Sequence, residues 1–146
     1  MESVGAVSAS ASQRPSARPT ILVIDDSQIA AEAMARTLAG AGYDAAVFHT
    51  GSEALNYVRD RQAENGSATP PAAALVDIHL PDIHGLVVSA KLREALGPAA
   101  PIIVISGDTS MANLNALPHV GATYFFSKPV NSATLVERLR ESLQAD

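Results

Sequence analysis

Three short runs of this chain are apolar at nearly every position, and each one is followed at once by a polar side chain. In chain order the runs are 21–24, 73–76 and 102–105, and the residues after them are Asp25, Asp77 and Ser106. A strand with one covered face alternates apolar and polar residues, whereas a strand covered by helices on both faces is apolar throughout. The runs therefore predict buried parallel strands at the centre of a sheet.

Helical patterns separate these runs, so that β-like segments and helices alternate from Thr20 to the end of the chain. Five such rounds can be counted, and the alternation is typical of βαβ units with a parallel sheet. The second segment, 44–48, is less apolar and fits a sheet edge, and the fifth, 124–127, ends at Lys128. The sequence therefore predicts an α/β fold, a doubly wound (βα)5 three-layer sandwich with a parallel five-stranded sheet.

Polar residues at the helix starts agree with this interpretation. Thr50 and Glu53 have the spacing of a capping box, and Asn131 fits the N-cap of the fifth helix. The fourth helical pattern, 109–117, is weaker because it contains two Asn residues and stops at Pro118. We therefore expect the fourth helix to be the least stable of the five.

Length and composition bound the class of protein. With 146 residues the chain suits one domain and an extension: residues 1–19, rich in Ser, Ala, Pro and Arg, are predicted to be a disordered tail, and residues 20–146 the folded domain. The chain has no Cys, a net charge of -5 and no basic cluster, and its apolar runs are far shorter than the roughly 20 residues of a membrane span. We therefore expect a cytoplasmic protein that binds neither nucleic acid nor membranes.

The carboxyl ends of parallel strands meet at one edge of an open sheet, where such folds bind ligands. Five side chains are expected at that edge: Asp25, Asp26, Asp77, Ser106 and Lys128. Clustered carboxylates repel unless a cation keeps them ionised, and Mg²⁺ suits a set of oxygen ligands completed by a phosphate. Asp77 is the central carboxylate and is placed to attack phosphorus in line, with the metal and Lys128 offsetting charge on the phosphoryl oxygens.

At these residues the chain resembles the receiver domain of two-component response regulators, over about residues 20 to 144. The matching positions are the acidic pair Asp25 and Asp26, the phosphoacceptor Asp77, the hydroxyl residue Ser106, the pair Lys128 and Pro129, and the loop residues Pro81 and Gly85. The resemblance implies a flavodoxin-like strand order, 2-1-3-4-5. It also implies phosphorelay signalling, in which a histidine kinase or a histidine phosphotransfer protein supplies the phosphoryl group.

Further roles follow from the same resemblance. Asp26 and Asp77 would bind Mg²⁺ directly, Asp25 would bind it through water, and His79 would contribute its backbone carbonyl. The Lys128–Pro129 bond would be cis. Phe125 falls at the family's switch aromatic, and a Phe lacks the hydroxyl that a Tyr would offer there. The signal would leave through the face formed by helix four, strand five and helix five.

Two other classes of function remain open. One is a phosphatase with an aspartyl-phosphate intermediate, similar to the haloacid dehalogenases, although its Asp-x-Asp motif after strand one does not match the adjacent Asp25 and Asp26. The other is a degenerate receiver that binds a partner without phosphorylation. Our own expectation is a stand-alone receiver that is not an enzyme beyond its self-catalysed phosphorylation and dephosphorylation, and that acts on an unknown downstream protein. His49, His84 and His119 are expected to be surface residues.

Overall fold

The computed structural model describes residues 18–63, 69–107 and 111–144, and residues 111–113 by their backbone alone. Its elements are β1 Thr20–Ile24, α1 Gln28–Gly40, β2 Asp44–Phe48, α2 Gly51–Gln62, β3 Ala73–Asp77, α3 Gly85–Leu96, β4 Ile102–Ser106, α4 Met111–Ala116, a 3₁₀ segment Leu117–Val120, β5 Tyr124–Ser127 and α5 Ser132–Gln144. All strand pairs are parallel, in the order β2-β1-β3-β4-β5. The predicted fold class and strand order are confirmed.

The apolar central strands are explained by helices on both faces of the sheet. Alternate residues of β1 and β3, such as Val23 and Leu75, pack with α1 and α5, where Leu38 and Leu135 are fully buried. The intervening strand residues pack with α2 and α3 on the other face. Each fully buried Leu or Ile stabilises the fold by roughly 1.5–3 kcal/mol relative to an exposed one. Strands with both faces covered have no position for a polar side chain until they reach the sheet edge.

The fourth helix differs from its predicted span. The sequence pattern predicts a helix over 109–117, whereas α4 covers Met111–Ala116 and continues as the 3₁₀ segment. Residues 108–110 lie outside the described residues. Pro118 stands in the first turn of that segment, where its missing N–H costs least. The segment ends at Gly121, whose φ of 75° is the left-handed conformation that glycine adopts easily. The chain thus leaves α4 through a tight turn.

Ordered contacts begin before the predicted domain start. The guanidinium of Arg18, assigned to the tail 1–19 from sequence, donates to the Asp44 carboxylate at 3.0 Å and to the Ala39 carbonyl oxygen at 2.9 Å. The rest of the predicted tail, 1–17, lies outside the described residues. Among the residues that the structure describes, no helix is long and apolar enough to cross a membrane.

Candidate functional site

Three carboxylates meet at the carboxyl edge of the sheet. Asp77 is the last residue of β3, and Asp25 and Asp26 follow β1 directly. Because Ile24 pairs with Val76 in the parallel register, Asp25 reaches the same level as Asp77. One oxygen from each of the three side chains lies within 4.8 Å of the others, which is close enough for a shared cation. This oxygen-only donor set fits Mg²⁺ or Ca²⁺.

Lys128 brings the opposite charge to this group. Its Nζ lies 2.7 Å from Asp77 Oδ2 and 3.9 Å from Asp25 Oδ2. Burial alone would lower the pKa of Lys128, but its hydrogen bond to Asp77 and the charges of the three carboxylates raise that pKa above its usual value. The lysine is therefore held as a cation against the buried carboxylate of Asp77, which is 4% exposed.

The acidic pair is uneven, since Asp25 is half-buried and Asp26 is exposed. Burial raises the pKa of Asp25, and the negative charges of Asp77 and Asp26 act in the same direction. Two contacts oppose that rise: the Ser27 N–H donates to Asp25 Oδ1 at 2.9 Å, and Lys128 attracts the carboxylate. A carboxylate whose charge is disfavoured in this way gains from a bound cation.

The carboxylate of Asp77 is held by the loop that follows Asp77 as well as by Lys128. The backbone N–H of His79 donates to Asp77 Oδ1 at 3.0 Å. At the end of that loop a side chain on Gly85 would overlap the carbonyl oxygen of Asp77, so that only glycine allows α3 to begin so close to the strand. The Gly85 N–H donates to Ile78 O at 2.7 Å and closes the loop at its base.

Ser106 and Phe125 lie in the two strands that complete the edge. Ser106 is fully buried at the end of β4, and its carbonyl oxygen accepts from the Lys128 N–H at 2.9 Å. The Lys128–Pro129 peptide bond is cis. Phe125 is half-buried and packs with a small cluster that joins α3 to the 3₁₀ segment: Ile78, Leu86, Val104, Ala116, Leu117, Val120 and Ala122. Phe125 and Ala116 of the fourth helix therefore pack against the same buried cluster.

Two of the three histidines expected on the surface have structural contacts. His49 is half-buried, and its Nδ1 lies 2.9 Å from the carbonyl oxygen of Asp25, so this prediction is wrong for His49. The carbonyl oxygen can only accept, which assigns the proton to Nδ1. His84 is exposed, yet its Nδ1 accepts from the Leu86 N–H at 3.2 Å and caps α3. His119 is exposed as predicted.

An apolar cavity of about 560 Å³ opens beside the carboxylates, between α1 and the start of α5. Its floor is formed by the sheet, its walls by small or flexible side chains of α1 and by the residues after Lys128; they include Val23, Leu75, Ile105, Ala30, Ala33, Met34, Pro129 and Val130. Ala30 and Ala33 leave room that longer side chains would fill. Ile29, on the same helix, is 82% exposed.

The family described as the response regulator receiver domain matches residues 21–140, and the chain belongs to this family. The response regulator MtrA of Mycolicibacterium smegmatis, described as DNA-binding, is 33% identical over 127 residues, or 87% of this chain and 51% of that protein. The chain thus spans about half the length of the curated relatives it matches. It contains the receiver domain of a two-component phosphorelay regulator.

Solved structures of receiver domains share this fold. A CheY-like receiver domain protein from Methanospirillum hungatei is 28% identical with a TM-score of 0.76, over 87% of this chain and 94% of that one. A response regulator from Burkholderia pseudomallei is 30% identical with a TM-score of 0.71, over 86% of this chain and 68% of that one. The Burkholderia structure contains a phosphorylated aspartic acid, a calcium ion and citrate.

Proposed function

We propose that this chain accepts a phosphoryl group on Asp77 from the phosphohistidine of a histidine kinase or a histidine phosphotransfer protein. The observation that carries the proposal is the buried Asp77 carboxylate 2.7 Å from Lys128 Nζ, with the carboxylates of Asp25 and Asp26 beside it. A related response regulator of similar fold contains a phosphorylated aspartic acid and a calcium ion, which supports the same chemistry here.

In the transfer, a carboxylate oxygen of Asp77 forms a bond to phosphorus as the bond between phosphorus and the donor's imidazole nitrogen breaks. The imidazole leaves with the electron pair of that bond and is protonated by solvent. Lys128 offsets negative charge on the phosphoryl oxygens, and the Ser106 hydroxyl donates to another of them. We assign the Mg²⁺ ligands to Asp26, Asp77 and the His79 carbonyl, with Asp25 binding through water; a bound ion supplies positive charge at the phosphoryl oxygens.

These roles make the protein a phosphoacceptor that catalyses its own phosphorylation and dephosphorylation, and we propose no activity on a separate substrate. The alternative of a dehalogenase-like phosphatase requires an Asp-x-Asp motif after β1, and this chain has the adjacent Asp25 and Asp26 there. The lysine held against the buried carboxylate of Asp77 argues against a degenerate receiver. The acidic set and Lys128 together favour phosphorylation.

The donor protein would approach over α1 and the residues after Lys128. This side combines the apolar cavity, which Asp77 helps to line, with the exposed Ile29 on α1. An apolar contact there positions a phosphohistidine for direct transfer, since reacting atoms need to come within roughly 3–3.5 Å. We place this exchange in the cytoplasm, and we propose no nucleic-acid contact by the described domain itself.

We call residues 106–128 the response segment. The signal would leave the protein through this segment and through α5, which follows it. A phosphoryl group on Asp77 would attract the Ser106 hydroxyl, and Phe125 could then turn into the space that this movement opens. α4 and the 3₁₀ segment pack against the same buried cluster as Phe125 and would rearrange with it. The output is then a change in affinity for a downstream protein at the α4-β5-α5 face.

The test is incubation with a phosphorylated histidine kinase, or with acetyl phosphate, in the presence of Mg²⁺. One phosphoryl group should be added to the wild-type chain, and it should be stable in acid and labile in base. Intact-protein mass spectrometry should show no added phosphoryl group in Asp77→Asn. Asp60→Asn, a change at an exposed carboxylate of α2, is the matched control and should be labelled fully. Full labelling of Asp77→Asn would contradict the assignment of Asp77 as the phosphoacceptor. Unchanged phosphoryl transfer in EDTA would contradict the proposed dependence on Mg²⁺.

A further inference from the structure

Asp82, five residues after Asp77, joins the loop behind the phosphoacceptor to the start of α2. Its Oδ1 accepts from the Gly51 N–H at 2.9 Å, and its Oδ2 accepts from the Ser52 N–H at 2.9 Å. These are N–H groups of the first helical turn, which have no partner inside the helix. Hydrogen bonds from the Ser52 side chain and backbone, and from Gly51 and Ile83, hold the pKa of Asp82 well below its usual range.

The residues just before α2 make a second contact on the opposite side. His49 donates from Nδ1 to the carbonyl oxygen of Asp25 at 2.9 Å, and the Asp25 N–H donates to Phe48 O at 3.0 Å. The stretch 48–52 therefore touches the backbone of the acidic pair at one end and the Asp82 carboxylate at the other. It connects the two parts of the sheet edge that carry the carboxylates.

Packing leaves this stretch little freedom. A Cβ on Gly51 would lie 2.7 Å from Val88 Cγ2 and 3.3 Å from Ile83 Cβ, so the start of α2 is in tight contact with α3 and its preceding loop. The loop is also closed at its base by Gly85. The position of the loop between β3 and α3 is thus determined both by its contact with β3 and by its contact with α2.

The same loop carries His79, whose backbone N–H donates to Asp77 Oδ1. We propose that His49 and Asp82 are positioning residues that hold stretch 48–52 as a brace between the acidic pair and the loop after Asp77, and thereby set the affinity of the site for Mg²⁺. The inference rests on the proposed function, because it takes the carboxylate cluster as a Mg²⁺ site. Mg²⁺ requires near-ideal octahedral geometry, so a shift of either part weakens binding.

The experiment is calorimetric titration of the full chain with Mg²⁺ alone, together with thermal unfolding in EDTA. Asp82→Ala should raise the Kd for Mg²⁺ by about tenfold, the lower end of what changes around metal ligands cause. Asp82→Asn should cause a smaller rise, because its amide oxygen still accepts from one helix N–H. His49→Ala should also raise the Kd. In the double variant Asp82→Ala/His49→Ala, the increase in Kd should be smaller than the product of the two single-variant increases, because both residues act through the same brace.

Matched controls are Asp60→Ala on α2 and His119→Ala in the 3₁₀ segment, both exposed, and neither should change the Kd. A purely structural cap would lower the melting temperature of Asp82→Ala and leave the Kd of the folded protein unchanged, which overturns the inference. If Asp82→Ala does not fold, Asp82→Asn and Ser52→Ala decide in its place, and unchanged Kd values in both overturn it. A wild-type chain that binds no Mg²⁺ removes the proposed function itself.

Discussion

The part of the molecule that holds the carboxylates carries α1, α2 and α3, helices of 12 or 13 residues that each begin with a side-chain cap. The response segment carries α4, which has six residues and passes into a 3₁₀ turn. Strands β1 and β3 are almost entirely buried, whereas β5 is only half-buried. The two regions meet where Lys128, at the end of the response segment, contacts Asp77.

Under the proposed function, this difference would separate the phosphorylation chemistry from the conformational response. Metal and phosphoryl binding need oxygen atoms held within narrow limits, and the long capped helices provide that. A segment that must change conformation needs a low free energy of opening, and short or irregular helices with few contacts provide that. We call the part that carries α1, α2 and α3 the rigid region, and the response segment the adaptable region. A phosphoryl group on Asp77 would add contacts to Ser106 and Lys128, and so connect the two.

The largest expected effect comes from removing the charge that joins the two regions. Lys128→Gln should slow phosphorylation of Asp77 by roughly a hundredfold or more, because one preorganised positive donor at the phosphoryl group is lost. Mg²⁺ binding should be retained, since the carboxylates then lose a competing cation. Phosphorylation by acetyl phosphate and calorimetric Mg²⁺ titration measure the two effects. Lys91→Gln, an exposed change on α3, is the control. Equal loss of both properties would contradict the separation of roles.

A second prediction concerns the adaptable region itself. Beryllofluoride, which imitates an acyl phosphate, should change amide hydrogen exchange most strongly within 106–128. Ser106→Ala should confine the change to residues near Asp77, because the hydroxyl that transmits the event is missing. Exchange measured by mass spectrometry, with and without beryllofluoride, tests both statements. A response that never reaches the segment in the wild-type chain would refute this output mechanism while leaving phosphorylation intact.

The sequence predicts the fold and the edge residues well because both depend on local pattern. Continuous apolar runs specify buried strands, and the residue after each run must lie at the sheet edge. The capping roles of Thr50 and Asn131 are confirmed, since each accepts from an N–H three residues later. These features need no knowledge of distant contacts.

What the sequence did not reveal depends on distant contacts. His49 contacts Asp25 across 24 residues, and Asp82 contacts Gly51 across 31. Only the pairing of β1 with β2 and the approach of α3 to α2 bring these groups together. Arg18 likewise looks like part of a polar tail until the start of β2 is placed beside it. Proximity to a helix start is no guide for Asp82, because Asp82 lies just before α3 but its carboxylate accepts from the first N–H groups of α2.

The third prediction contrasts two carboxylates of the rigid region by their pH dependence. Asp25 has a raised pKa, so its contribution to stability is present at low pH and is lost as the pH rises through that pKa. Asp82 has a lowered pKa, so its contribution is present above its ordinary value of 3.8 and is lost as the pH falls. In EDTA, Asp25→Asn should therefore stabilise the protein near neutral pH, and Asp82→Asn should destabilise it there.

Urea unfolding at a series of pH values measures both effects. The two differences from wild type should have opposite signs at neutral pH, and both should shrink in acid as the wild-type carboxyl groups become protonated. Asp60→Asn serves as the exposed control. Destabilisation by Asp25→Asn at neutral pH without metal would mean that Lys128 and Ser27 compensate the Asp25 charge fully, and that the rigid region is not under electrostatic strain.

The smallest effect is expected at the far end of the rigid region. Arg18 bridges the end of α1 and the start of β2, on the edge of the sheet opposite to Asp77. Its side chain is 43% exposed, so solvent screens the ion pair with Asp44, and Arg18→Ala should lower the free energy of unfolding by about 1 kcal/mol or less. Mg²⁺ affinity and the phosphorylation rate should stay at wild-type values, and Arg36→Ala, an exposed change on α1, should alter none of the three. A change in Mg²⁺ affinity in Arg18→Ala would show that strain passes through β1 from one sheet edge to the other, and that the carboxylates depend on more than their own loops and the brace.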